Sequence, residues 1–416
     1  MSSEPHEIFL TEEDRWNWDK YIQRWNLSEL SDAKRLRTEG SLRHLRQSLG
    51  EGYLKRADRQ GNPLLFWYFT DWSDGARRSM IRFTEALKAL EGAPNFKAIL
   101  RRIKNPKNLD ELLEGLSVIE VAYRFSHAGF SIEFEPTVLV TNHRGVDGPK
   151  NPDMKVVDTG TGEEIIVEVS RMKPSDHQNL TSHTYHAIHN VLVYESMQCD
   201  PEALKNPTIP RHILPYAKIF RGIAEDELKG IIKQIRKLVD QVRTSGEFGE
   251  LIIPDTIEVG IASYDNHAPA REWAANRGMR EHNLVEGANI LTDEIARAKV
   301  KLRVKSKQLP DDKPGIIVLT PANENVILFV CDISWLAATM ADEAAKYPKL
   351  LRTIMFHTFD DGKDESWSVN IGQHSYTRMV RSDGAVEQSL TIRNQACNHI
   401  LSATTLEKVE AAFTMD

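Results

Sequence analysis

The chain has 416 residues, 41% of them apolar, with a formal net charge of −7 and a pI of about 6.1. That length exceeds one small domain, and that apolar content excludes a disordered chain. The charge excludes retention on nucleic acid by bulk positive charge, although a local basic surface and an acidic metal site would cancel in the sum. No apolar run approaches the ~20 residues that span a bilayer, so no membrane partner is expected. Residues 1–13 are polar and acidic, unlike a signal peptide. Cys199, Cys331 and Cys397 are odd in number and far apart, which argues against a disulfide framework or a CxxC zinc site and for a cytoplasmic setting.

Residues 1–107 read as a helical region. Thr11-Glu12-Glu13-Asp14 has the form of a capping box and leads into Trp16, Trp18, Tyr21, Ile22 and Trp25. Helices are expected over 31–49 and 76–90, with a short apolar run at 64–69. The arginines here are compatible with a nucleic-acid surface, but tryptophans in a core with arginines in solvent is the commoner arrangement. Residues 108–335 read as an α/β core. It opens with a helix over 109–128 closed by Gly129, followed by β-type stretches at 130–140, 152–157 and 164–169. A helix follows from 175 to about 198, then a proline-rich stretch over 201–215. Further on come a basic helix over 226–243, a strand over 251–263 and a helix over 289–308. Strands are expected over 316–320, extending the central sheet, and over 325–333. Residues 336–416 read as a C-terminal α/β extension.

Glu120 falls on the stripe marked by Leu113, Leu116 and Tyr123, where a carboxylate is costly unless something pairs with it. Downstream, Gly148-Pro149-Lys150-Asn151-Pro152-Asp153 is a turn that places Asp153 at the start of a strand. Thr159-Gly160-Thr161-Gly162 turns the chain back into Glu164–Ser170, where period-two alternation puts Glu168 and Ser170 on one face. The hairpin brings Asp153 and Glu168 together at the end of the sheet. Two carboxylates and a backbone carbonyl suffice for magnesium, which keeps several waters and neutralises charge on a phosphodiester.

The order of Glu120 on a helix, Pro152-Asp153 at a strand start and Glu168-Val169-Ser170 on the return strand resembles the PD-(D/E)xK nuclease superfamily, of restriction-endonuclease-like fold. The run Glu120-Val121-Ala122-Tyr123-Arg124-Phe125 and Gly129-Phe130-Ser131-Ile132-Glu133-Phe134-Glu135 is similar to that family's opening helix and strand. The resemblance covers residues 110–198 and implies an αβββαβ core and a Mg2+- or Mn2+-dependent phosphodiesterase. Asp153, Glu168 and the carbonyl of Val169 would hold the metal, with Glu120 an auxiliary acid. The implied partner is nucleic acid, DNA first, in a setting such as bacterial or phage genome defence, with homo-oligomerisation or an activating protein as restraint.

One position departs from the pattern. The lysine two residues after the motif glutamate is Ser170, which cannot replace a positive charge. Either Lys155, on the face of Asp153, or Lys173, past the strand end, replaces it, or the fold binds nucleic acid or proteins without cleaving. Ser170, Arg171, Gln178 and His183 are the candidate nucleic-acid contacts. His183, His186 and His189 share a broad helix face, more simply read as solvated or core-edge than as a zinc site.

Overall fold

The structure is a computed structural model that describes residues 16–26, 30–60, 74–141, 147–172, 176–197, 212–263, 266–279, 284–287, 291–320, 333–360, 366–380 and 385–414. The expected capping box at 11–14, the run at 64–69, the strand at 325–332 and Lys173 lie outside them. None of the helices described is long and apolar enough to cross a membrane.

In chain order the elements are α1 (Trp18–Asn26), α2 (Asp32–Leu49), α3 (Tyr53–Arg59), α4 (Asp74–Leu90), α5 (Phe96–Lys104) and α6 (Leu109–His127). Then come β1 (Phe130–Phe134), β2 (Val138–Thr141), β3 (Asp147–Lys150), β4 (Met154–Asp158), β5 (Glu164–Arg171) and α7 (Asp176–Met197). The middle of the chain forms β6 (Ile213–Ile219), α8 (Glu225–Ser245), β7 (Gly249–Ile253), β8 (Ile257–Ser263), α9 (Ala268–Asn276) and β9 (Val285–Glu286). It ends with α10 (Leu291–Ser306), β10 (Gly315–Thr320), α11 (Ile333–Ala344), β11 (Leu350–Asp360), β12 (Trp367–Ile371), β13 (His374–Val380), β14 (Ala385–Arg393) and α12 (Ala403–Ala411).

These elements form an α/β protein of two compact units. One comprises Met1–Lys173 with Ile295–Asp416, the other Pro174–Glu294. Residues 174–294, inside the expected core region, are thus a unit of their own, and residues 336–416 supply β11–β14 to the sheet of the first unit.

That sheet has eight strands in the order β1-β4-β5-β10-β11-β14-β13-β12. It is mixed. The pairs β1–β4 and β4–β5 are antiparallel, β5–β10 and β10–β11 parallel, and the remaining pairs antiparallel. The strand expected over 316–320 therefore does extend the sheet that begins with the hairpin. The expected single strand over 130–140 is instead two. Glu135 takes a positive φ of 46°, and Pro136 follows, so pairing with β4 ends at Phe134.

α6 fixes which face of the sheet is which. The Asn108 side chain caps it by accepting from Glu111 N at 2.9 Å, and Asp110 and Glu111 complement the dipole of its first turn. Its buried stripe, including Val118, Ile119, Ala122 and Phe125, packs on Ile165, Val167, Val169, Ile316, Val318, Ile354 and Phe356. By alternation, Ile166, Glu168 and Ser170 face the opposite side.

The β4–β5 turn is clamped by the C-terminal helix. Asp158, fully buried, accepts from Gly160 N at 2.7 Å, Thr405 Oγ1 at 2.9 Å and Lys408 Nζ at 2.5 Å. Burial alone would raise its pKa; the Lys408, Gly160 and Thr405 bonds outweigh that and hold it at about 2. Beside it, Glu163 accepts from Ser402 Oγ at 2.6 Å.

The second unit is a sheet in the order β7-β8-β6-β9. Ile188 and Leu192 of α7 and Ile231, Ile235 and Val239 of α8 pack on its strands. The expected strand over 251–263 is a hairpin whose turn holds Asp255 at φ 54°. A Cβ at Gly260 would lie 2.6 Å from the Trp273 ring, so only glycine lets α9 pack so close.

Candidate active site

The β4–β5 ladder runs from Val157 opposite Glu164 to Met154 opposite Val167 and stops. One step further, Asp153 comes level with Glu168. Its Oδ2 takes over the role of a backbone acceptor, receiving Val169 N at 2.8 Å, while its own carbonyl accepts from Glu135 N at 3.0 Å. Asp153 is thus fixed at both ends. The sequence order of turn, strand, turn and strand does bring the two carboxylates together.

A cation reaches them from a distant part of the chain. Lys305, in the last turn of α10, places Nζ 2.6 Å from Glu168 Oε2 and 3.3 Å from Asp153 Oδ2. Three residues on, Gln308 presents its side-chain amide to the same carboxylate. The nitrogen stands 3.0 Å from Oε1 and 3.2 Å from Oε2 in the orientation that satisfies both ends of the amide. Local packing sets this placement. Ile295, Ala298 and Leu302 bury one side of α10, and Leu309 anchors the turn after it. A Cβ at Gly315 would lie 2.3 Å from Leu309, so a larger residue would have to displace that side chain where β10 starts and runs beside β5 with Ile317 level with Glu168.

Burial governs the electrostatics. Glu168 is fully buried, and this, with the nearby charge of Asp153, pushes its pKa up to about 8 despite Lys305. Burial would lower the Lys305 pKa, but Asp153 and Glu168 outweigh it and hold the ammonium above its ordinary value. The site therefore keeps a charged lysine and stores a proton near Glu168 at neutral pH.

That proton has a measurable cost. A carboxyl with a pKa near 8 folded and near 4.5 unfolded binds its proton more tightly in the folded chain. Its contribution to stability therefore falls as pH rises from about 4.5 to 8 and levels off above that. Glu168→Gln mimics the protonated form. It is expected to exceed the parent in stability by little at pH 5 and by roughly 2–4 kcal/mol at pH 8, read as Tm. A Tm that drops at pH 8 would show instead that ionised Glu168 holds the fold together.

The other expected site residues lie elsewhere. Lys155 shares the face of Glu168 but is engaged by Glu133 at 2.6 Å and Glu164 at 3.8 Å, so it does not stand in for the missing lysine. Glu120 is half-exposed on the α6 side of the sheet, where Oε1 accepts from Thr358 Oγ1 at 2.9 Å with Arg124 at 3.6 Å. The sheet separates it from Glu168, because Thr358 shares the face of Ile354 and Phe356. It is not an auxiliary acid of this site.

Ser170 is buried on the Glu168 face. Arg171 alternates to the other face, where burial lowers its pKa and Asp110 and Glu114 of α6 oppose the shift. His183 is exposed on α7 in the second unit, and the Tyr185 ring stacks on His189 at 5.7 Å. The Gln178 side chain lies outside the described residues. The helix expected over 175–198 is this α7; the helix that leads back into the sheet is α10.

The donor set suits a hard cation. Asp153 and Glu168 offer carboxylate oxygens, and the Val169 main chain adjoins them. Among the described residues no third histidine, cysteine, aspartate or glutamate joins them. Magnesium needs no more, since it retains several waters, whereas a zinc or calcium cage would. Comparison of the sequence with protein-family models and with curated proteins gives no match to either.

Proposed function

We propose that the protein is a metal-dependent phosphodiesterase acting on nucleic acid, a PD-(D/E)xK-type nuclease whose lysine comes from α10 instead of position 170. The observation that carries this is the convergence of Lys305 Nζ on Glu168 and Asp153 at 2.6 and 3.3 Å. The strand order supports it: α6, the antiparallel β1–β4–β5, α10 and the parallel β10 follow one another in the order of an αβββαβ succession, with residues 174–294 lying before α10 in the chain.

Asp153, Glu168 and the Val169 carbonyl would hold Mg2+ or Mn2+. The bound ion would polarise the phosphate and lower the pKa of a coordinated water. Lys305 would place positive charge where the phosphorane's negative charge develops and would orient the attacking water. Gln308 holds Glu168 in position. A metal would have to displace the proton on Glu168, so Mn2+ affinity is expected to rise with pH through neutrality.

The test is incubation of the full chain with plasmid, single-stranded DNA and RNA, with Mg2+ or Mn2+, beside an Asp153→Ala/Glu168→Ala double variant. Cleavage by the parent and not by the variant supports the reading. A second reading, a nuclease fold that binds nucleic acid or a partner without cutting, draws on the full burial of Glu168 and its engagement by Lys305 and Gln308. Nucleic acid bound but uncut across pH 6–9, with no calorimetric Mn2+ binding, would favour it.

A further inference from the structure

The basic residues of the N-terminal helices fall into two groups. Those of α2 are engaged within the chain. Arg35 pairs with Asp32, Arg37 with Glu85, Arg43 with Glu39, and Arg46 with Asp19 and Glu51. On α3 and α5 the balance differs. Among the described residues, no carboxylate forms an ion pair with Arg56, Arg59, Lys97, Arg101 or Lys104.

The pattern of α5 makes this a surface. Its sequence, Phe-Lys-Ala-Ile-Leu-Arg-Arg-Ile-Lys, has no acidic residue. Phe96, Ile99 and Ile103 are buried, and Lys97, Arg101 and Lys104, at i, i+4 and i+7, form one stripe on another side of the helix. Lys97 and Arg101 are exposed and Lys104 is half-buried. The stripe is ~10 Å long. That matches about three phosphates of a nucleic-acid strand, at ~3.4 Å of axis each. Arg56 of α3 extends it, standing close enough to act on Lys104. Burial and then Arg56 lower the Lys104 pKa, and no carboxylate opposes them. Like charges held together with no counter-charge favour a bound anion.

The stripe is joined to the Asp153 end of the sheet. Before α5, Phe134 N donates to the Pro94 carbonyl at 3.1 Å, and Asn95 Nδ2 donates to the Phe134 carbonyl at 2.9 Å. Within α5, Arg102 pairs with Glu135, whose N–H donates to the Asp153 carbonyl at 3.0 Å. Arg101 is thus the chain neighbour of a residue one contact removed from the backbone that fixes Asp153.

We infer that Lys97, Arg101 and Lys104, with Arg56, bind the phosphate backbone of a nucleic acid and lead it to the Asp153 end of the sheet. The class of partner rests on the function proposed above; the binding does not need cleavage. Contacts of this kind position a strand and carry no sequence information.

The test is fluorescence anisotropy of the full-length protein with a labelled duplex of about 20 base pairs and a single strand of the same length, in EDTA, from about 50 to 200 mM salt. Lys97→Ala/Arg101→Ala/Lys104→Ala is expected to weaken duplex binding at least about tenfold at ~100 mM salt. Its log K should fall less steeply with log salt, by about 2.7 on the duplex and about 2 on the single strand. Lys229→Ala/Lys233→Ala/Lys237→Ala removes the same charge from α8 and is expected to keep nearly the parental slope. Lys97→Glu/Arg101→Glu changes two exposed side chains only; it is expected to abolish binding at the parental Tm and decides the matter if the triple variant folds poorly. An unchanged slope in the α5 variant overturns the inference, and so does an equal loss in the α8 variant. Failure of the parent to bind either probe at ~50 mM salt overturns it too. Capture by phosphatidylserine vesicles without nucleic-acid binding would give the stripe to a lipid surface and has the same result. Nucleic acid bound through the stripe but never cut sustains this inference while removing the cleavage reading, so the two failures are distinguishable.

Discussion

Lys305→Met is expected to lower the cleavage rate about 10²–10³-fold while the protein stays folded and continues to bind divalent metal. Removing the ammonium leaves Asp153 and Glu168 without a competing cation, so Mn2+ affinity above pH 8 should be unchanged or tighter. That split separates a catalytic lysine from a structural one. A lysine needed only for folding would lower Tm and metal binding together. Lys305→Arg is expected to recover little, because the planar guanidinium does not reproduce a compact ammonium between two carboxylates. Cleavage at the parental rate by Lys305→Met would remove the lysine from the mechanism.

The largest stability effect is expected at Arg124. Its side chain is 6% exposed and pairs with Glu387, 2% exposed, through Nη1 at 2.8 Å and a second contact from Nη2. The guanidinium also lies 4.1 Å over the Phe356 ring. Arg124→Ala withdraws the guanidinium from a buried carboxylate, at a cost of about 3–5 kcal/mol. In a unit of this size that lowers Tm by roughly 10 °C. Arg124→Met combined with Glu387→Met is expected to regain most of the loss, since replacing a buried ion pair by apolar side chains is often neutral. If the double variant is as unstable as the single one, the pair contributes more than its desolvation costs.

The hairpin half of the site is legible in the sequence because it is local. Pro152-Asp153, the Thr159–Gly162 turn and Glu168 lie within 17 residues of one another, and period-two alternation alone brings the carboxylates level. Glu120 misleads because the stripe drawn through Leu113, Leu116 and Tyr123 is slightly out of phase. The buried residues centre on Val118, Ile119, Ala122 and Phe125, which leaves Glu120 at the margin. Lys305 could not be found by spacing. It is one of several basic residues on α10, and a lone lysine carries no pattern. The usable signals were the vacancy at Ser170 and the Lys305-Ser306-Lys307-Gln308 helix end feeding a buried parallel strand. The sequence shows two or three strands between Thr353 and Val380, but neither the strand at Ala385–Arg393 nor their place in the central sheet, because pairing between strands distant in sequence depends on packing that no local window contains.

Lys305 lies 137 residues after Glu168, with the whole second unit between them. During synthesis the ribosome therefore releases both carboxylates well before the cation. A polypeptide from an interrupted message that ends between residues 168 and 305 has both carboxylates and lacks Lys305. On the proposed reading, this order of manufacture withholds the lysine from the carboxylates until residue 305 has been made.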